Sequence, residues 1–274
     1  MKKIVSIVLA VSMLAVCVTG CKTTTRKQLK PVVLNEVAHS IFYAPQYAAI
    51  ELGYFEDEGL DLTLVNGAGA DKVMTALISG DADIGFMGSE ASIYVYQQGS
   101  DDYAVNFAQL TQRAGNFLVG REAQDNFTWA DLKGKKVLGG RAGGMPEMVF
   151  EYILKKNGID PAADLTIDQS INFGLTAAAF TSNDADYTVE FEPFATGLEK
   201  EGNGHVIASL GVDSGYVPYT AYSVKKSYLE KNPETIQKFT NAIQKGLEYV
   251  NTHSAEEIAK VIQPQFKETD EDTI

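Results

Sequence analysis

Two corners rich in small residues carry the side chains best suited to hold a ligand. The first is Gly88-Ser89-Glu90, directly after the apolar run 84–87. The second is Gly140-Arg141-Ala142-Gly143-Gly144-Met145-Pro146-Glu147, directly after a strand-like run at 136–139. In each, small residues between a strand and a helix leave backbone N–H groups bare at the positive end of a helix dipole. Arg141, and Arg113 at the end of another strand-like run, add cationic forks suited to a sulfonate or carboxylate. Glu90 and Glu190, with the aromatics Phe42, Tyr43, Phe191 and Tyr216, instead suit a flat nitrogenous ligand held by stacking and hydrogen bonds. Glu190 alternates with Phe191 and Glu192 at a strand end, so at least one carboxylate can face a cleft. All of this is the chemistry of reversible binding.

Catalysis finds little support. His39, His205 and His253 sit in no H-E-x-x-H or G-x-S-x-G setting. Gly139, Gly140, Gly143 and Gly144 fit no G-x-G-x-x-G register, and Gly134-Lys135 lacks the Ser or Thr of a phosphate loop. The expectation is a binding protein, not an enzyme, with no cofactor and no metal.

The elements that must position these corners alternate between strand and helix. Apolar runs at 31–37, 60–65, 84–87 and 105–110 are separated by helical stretches, the first opened by Pro45 and stopped by Gly53. A second series starts with a short helix capped by Thr128 and stopped by Gly134. It continues through a helix in which Met145, Met148, Val149, Tyr152 and Ile153 share a face. Near the end, Asn232-Pro233 opens a long helix with Ile236, Phe239, Ile243, Leu247 and Val250 inward, and Ser254-Ala-Glu-Glu257 is a capping box. This order indicates an α/β fold with largely parallel sheets, and a ligand site at the carboxyl ends of their strands.

The chain also repeats itself. Ala76, Ser79, Asp81, Ala82 and Asp83 recur 103 residues later as Ala179, Ser182, Asp184, Ala185 and Asp186, and Asp61-Leu-Thr-Leu64 recurs as Asp164-Leu-Thr-Ile167. Asn183 replaces Gly80, and Asn is the next best residue for a left-handed helix cap. Two blocks in one register imply two lobes on one plan.

The first residues read as an export signal. Lys2-Lys3 precedes an apolar stretch at 4–18, too short for a membrane span. It ends in Val18-Thr19-Gly20-Cys21, which resembles the lipobox of bacterial lipoproteins, with Cys21 as the acylated residue. Removing residues 1–20 leaves 21 basic against 36 acidic side chains, a net charge of −15. That argues against nucleic acid and against adsorption to anionic lipid. Of the two cysteines, Cys17 leaves with the signal, so no disulfide is expected. The polar stretch 22–30 reads as a tether.

The run Ala44-Pro-Gln-Tyr-Ala-Ala-Ile-Glu-Leu-Gly-Tyr-Phe-Glu-Asp-Glu-Gly-Leu60 resembles the first helix of ABC-importer substrate-binding proteins. The branch is that binding nitrate, sulfonates, taurine or pyrimidine precursors of thiamine. The blocks at 76–88, Leu132-Lys-Gly-Lys-Lys-Val137, Gly143-Gly144-Met145-Pro146-Glu147 and 184–193 follow in family order. The resemblance implies a two-lobed periplasmic-binding-protein-like (type II) fold, hinged by crossing strands. Its expected lobes are residues 31–121 plus 219–274, and residues 122–218. It further implies a monomeric lipoprotein, anchored extracytoplasmically, that closes on one small organic ligand for permease and ATPase subunits. By position, ligand contacts fall on Phe42, Tyr43, Ser89, Glu90, Arg141, Gly143, Gly144, Glu190 and Phe191. Gly88, Arg113, Met145 and Tyr216 complete the expected site. The family runs further past residue 274, and the cysteine cluster of the related fungal pyrimidine synthases is absent. A sensory module for a membrane receptor, or an enzyme acting on a pyrimidine-like substrate, is the alternative.

Overall fold

The computed structural model describes residues 28–172 and 174–274. The expected signal, Cys21 and the tether as far as residue 27 lie outside the described residues.

Two five-stranded sheets are built from one plan. The first contains β1 (Lys30–Glu36), β2 (Leu60–Asn66), β3 (Ile84–Gly88), β4 (Ala104–Thr111) and β10 (Thr220–Lys225), in the order β2-β1-β3-β10-β4. The second contains β5 (Asn116–Gly120), β6 (Lys136–Leu138), β7 (Thr166–Asp168), β8 (Tyr187–Phe191) and β9 (His205–Ser209), in the order β7-β6-β8-β5-β9. In each sheet four strands run one way and the fourth in order runs against them. The parallel strands require crossovers, which the intervening helices supply. β3 is buried at every residue, hence its continuous apolar run, whereas the edge strand β2 alternates.

The 103-residue repeat is a repeat of register. Leu34 lies beside Leu64 and Ile84, and Val137 lies beside Ile167 and Tyr187 at the same offset. The second aspartate of each block explains why. Asp83 donates its N–H to Val33 O (3.0 Å) and accepts the Val33 N–H on Oδ2 (2.9 Å). Asp186 does the same to Lys136, at 2.9 Å each way. Each aspartate thereby locks a central strand to its neighbour before the ladder begins. The helix Ala70–Ser79 ends at Gly80 with φ +90°, as expected, but Asn183 after the helix Thr176–Ser182 is extended at φ −116°. Its Oδ1 accepts the Ala185 N–H at 2.9 Å instead, an Asx turn that needs no left-handed residue.

The core of the first lobe is aromatic. Phe86 and Tyr222 stack at 4.3 Å, and Phe239 of the long helix Pro233–Thr252 meets Tyr222 edge-on at 5.0 Å. In the second lobe the helix Met145–Lys156 buries Met145, Val149, Phe150, Ile153 and Leu154. Met148 and Tyr152, expected on that inner face, are 42% and 52% exposed, so the buried stripe is rotated towards Phe150 and Leu154.

The chain crosses between lobes twice, through 112–115 and 215–219. The crossings are bonded to each other: Val217 N–H donates to Gln112 O, Tyr219 N–H to Thr111 O and Thr220 N–H to Thr111 Oγ1. The expected first boundary at residue 121 is therefore corrected. Strand β5 lies in the second sheet, because Leu118 and Val119 are fully buried between β8 and β9.

Candidate ligand-binding cleft

The carboxyl ends of β1 and β3 face those of β6 and β8 across a cavity of about 720 Å³. From the first corner Gly88 and Glu90 line it, and from the second Arg141, Gly143, Gly144 and Met145. Tyr43 and Phe191 complete the expected residues found there. Tyr219, Asp71 and Tyr94 line it as well and were not anticipated.

Glu90 is the first residue of the helix Glu90–Gln97, where the helix dipole favours a carboxylate. Its side chain folds back over Gly88, where an added Cβ would lie 2.1 Å from Oε2. Any side chain at 88 would displace the carboxylate from this position. Oε1 accepts the Met145 N–H of the opposite lobe at 3.0 Å. Oε2 is buried and has no partner among the described residues. Burial pushes the carboxyl up to about 7, against the pull of its own and the Met145 N–H groups. Tyr219 is 2% exposed with its hydroxyl likewise unpartnered. Burial raises the Tyr43 and Tyr219 phenols as well, and both stay neutral.

The expected anion hole is already filled. Gly143 N–H donates to Glu147 Oε2 (3.2 Å), Gly144 N–H to Arg141 O (3.2 Å) and Met145 N–H to Glu90. Arg141 is the sole cation among the described lining residues, and its Nη2 donates to Asp71 Oδ2 across the lobes at 2.8 Å. Tyr94 O–H donates to Gly143 O (3.2 Å), Ser89 Oγ to Pro218 O (2.7 Å) and Ser40 Oγ to Glu192 O (2.6 Å). With the Glu90–Met145 bond, those of Arg141, Tyr94 and Ser40 run from lobe to lobe.

Five expected residues lie elsewhere. Phe42 packs behind the cavity against Phe191 and Tyr219, at 5.9 and 5.8 Å. Ser89 is committed to Pro218. Arg113 donates to Gly211 O and lies 4.3 Å over the ring of Tyr216, which is 74% exposed. That pair braces the crossing rather than the cavity. Three residues on from Tyr216, Tyr219 turns inward. Glu190 faces away from the large cavity and lines a smaller one of about 310 Å³, with His39, Thr176 and Phe194. Its carboxylate accepts from Thr188 Oγ1 (2.6 Å) and Thr176 Oγ1 (2.8 Å), and burial pushes it up to about 7. His39 bridges Glu36 Oε1 (2.7 Å) and Gln265 O (2.9 Å), and the Glu36 contact raises its pKa. No group of three or more potential metal ligands occurs among the described residues.

The comparisons with known proteins agree with this architecture. YtlA of Bacillus subtilis (strain 168), provisionally named a binding protein, is 49% identical over 93% of this chain and 76% of its own. A Saccharomyces cerevisiae 4-amino-5-hydroxymethyl-2-methylpyrimidine phosphate synthase, THI11, is 26% identical over 76% of this chain, which spans 63% of that enzyme. The aliphatic sulphonate binding protein SsuA of Escherichia coli superposes with a TM-score of 0.71 at 17% identity, covering 89% of this chain and 81% of SsuA. The nitrate-binding protein NrtA of Synechocystis PCC 6803 superposes with a TM-score of 0.73 at 17% identity, covering 90% of this chain and 69% of NrtA. The fold is therefore that of periplasmic binding proteins. The family model described as NMT1/THI5 like matches residues 41–257, and on that match and the YtlA identity the chain belongs to the NMT1/THI5-like family.

Proposed function

We propose that this chain is the extracytoplasmic solute-binding lipoprotein of an ABC importer. It captures one small organic ligand between its lobes and presents it to permease and ATPase subunits. The observation that carries this reading is the cavity itself. It lies between the two sheets, is spanned by hydrogen bonds from lobe to lobe, and is lined by Glu90, Tyr219 and Thr220, each with a buried polar atom unpartnered among the described residues. Its size suits a small molecule. The name of YtlA and the sulphonate and nitrate ligands of the fold neighbours support the same class.

Binding without turnover is favoured over the synthase chemistry of the yeast relatives. His39 is committed to Glu36 and Gln265, and no cysteine or histidine is among the described residues lining the cavity. The domain is a monomer held to the membrane by an acylated Cys21. A thermal-shift panel of taurine, alkanesulfonates, nitrate and aminopyrimidines on the purified protein tests the reading. Saturable stabilisation by one class supports it, and no shift from any compound counts against it.

A further inference from the structure

The cavity between the lobes is larger than a small polar ligand needs, and the excess has a direction. A cavity of roughly 150 Å³ suffices for one benzene ring. This one measures about 720 Å³ and continues from the strand ends along two helices of the first lobe. On the helix Ala70–Ser79 it is lined by Ala70, Met74 and Ile78, four residues apart, so one stripe faces it from first turn to last. On the helix Glu90–Gln97, Ala91 and Val95 form one such row, and Tyr94 and the capping Gln98 form another. Two stripes that follow their helices from end to end make a groove between those helices. From position 70 to position 78 it runs for roughly 12 Å.

The groove is uncharged, on a chain with 36 acidic residues. Past Asp71 and Glu90 at the helix starts, no described lining residue of either helix carries a charge. Ile78 and Tyr94 keep 37% and 40% of their surface exposed, so apolar area there remains to be covered. The bonds of Asp71 to Arg141 and of Tyr94 to Gly143 O fall in the first two turns of these helices. Ile78, Ser79 and Gln98 lie beyond them and are exposed, so the far end opens to solvent while the lobes are bridged. We propose that this groove is a subsite for an unbranched alkyl chain, the tail of a ligand whose polar head occupies the chamber at the strand ends. The cross-lobe bonds close over the head, and the tail runs out beneath them along Met74, Ile78 and Val95. This inference rests on the solute-binding reading above and deepens it.

The test is calorimetric titration with two series of probes, linear alkanesulfonates and linear alkylamines, each from ethyl to octyl. The two heads differ in charge, so a gain with chain length reports on the tail. In the series whose head is accepted, affinity for the wild-type protein should rise roughly 2- to 4-fold per added methylene, as expected for a chain buried on most sides. Ile78→Glu changes a partly exposed position and puts a charge in the groove. It should weaken the octyl probe at least about 10-fold and shorter probes progressively less. Affinity that ignores or falls with chain length overturns the inference from the wild-type protein alone, whether or not Ile78→Glu folds. A gain with length that Ile78→Glu leaves intact also overturns it, because the tail then lies elsewhere. So does a thermal-shift hit from a compound without a chain when neither series binds. In these three cases the solute-binding reading survives. No binding of either series, combined with a blank thermal-shift panel, removes both.

Discussion

Glu190→Gln separates a structural carboxyl from a ligand-reading one, and its effect should depend on pH. Glu190 is 2% exposed, and among the described residues its carboxylate accepts from the hydroxyls of Thr188 and Thr176. Burial lifts it from 4.5 to about 7, against the pull of those two hydroxyls. A raised carboxyl stabilises the fold while it is protonated in both states, below about pH 4.5. That contribution is lost as pH climbs through about 7, because the buried group must then ionise. At about 1.4 kcal/mol per pKa unit, the wild-type protein loses up to roughly 3 kcal/mol across this window. The neutral amide loses nothing, and both threonine hydroxyls can rotate to satisfy it. Glu190→Gln should therefore match the wild-type protein near pH 4.5 and exceed it near pH 8. For a chain of this size the gap is roughly 6–12 °C in Tm. Thermal melts of both proteins across that range provide the measurement. Parallel pH profiles would refute the reasoning, since Glu190 would then ionise as an ordinary exposed carboxyl does.

Gly88→Ala places a methyl group 2.1 Å from the position of Glu90 Oε2, so it should displace the carboxyl, break its bond to Met145 and lower ligand affinity at least about 10-fold; titration showing wild-type affinity refutes this. Asp83→Asn and Asp186→Asn each replace a carboxylate bonded to a strand N–H and should each cost about 1–3 kcal/mol in denaturant unfolding. A cost confined to one of the pair would break the claimed equivalence of the lobes. Saturating ligand should shrink the radius of gyration in small-angle scattering through hinge motion at 112–115 and 215–219, and an unchanged profile at proven saturation denies closure. Cys21→Ser should move the protein from the membrane to the soluble fraction, because stable attachment needs acyl chains; a variant that still pellets in high salt is held by something else.

Much of the fold was legible because it is local. Strand and helix alternation follows from apolar periodicity, and the small-residue corners mark where strands hand over to helices. The 103-residue repeat implied two lobes on one plan, and the structure gives the reason: the aspartates at 83 and 186 bind the equivalent strand position in each lobe. Glu90 was also readable, as the one carboxylate in the first corner. The boundary at residue 121 was misplaced because nothing local in 116–120 says which sheet it joins. Its partners in β8 and β9 lie far along the chain.

Other residues could be assigned only in three dimensions. Tyr216 and Tyr219 belong to one short run, yet one is 74% exposed and the other 2%, a choice made by the path of the second crossing. Arg113 and Arg141 looked alike as anion forks, but each was taken by a partner from a distant segment, Tyr216 and Asp71. Glu190 and Phe191 had to point opposite ways by strand alternation. Which of them entered the large cavity depended on how the second sheet faces the first. The sequence by itself determined the alternation of strands and helices, the corners and the two-lobed plan, because periodicity and turn residues are local and the repeat is written in the chain. Only the tertiary structure decided which corner groups remain free for a ligand. Those groups are claimed or spared by partners across the lobes, such as Met145 for Glu90, 55 residues apart.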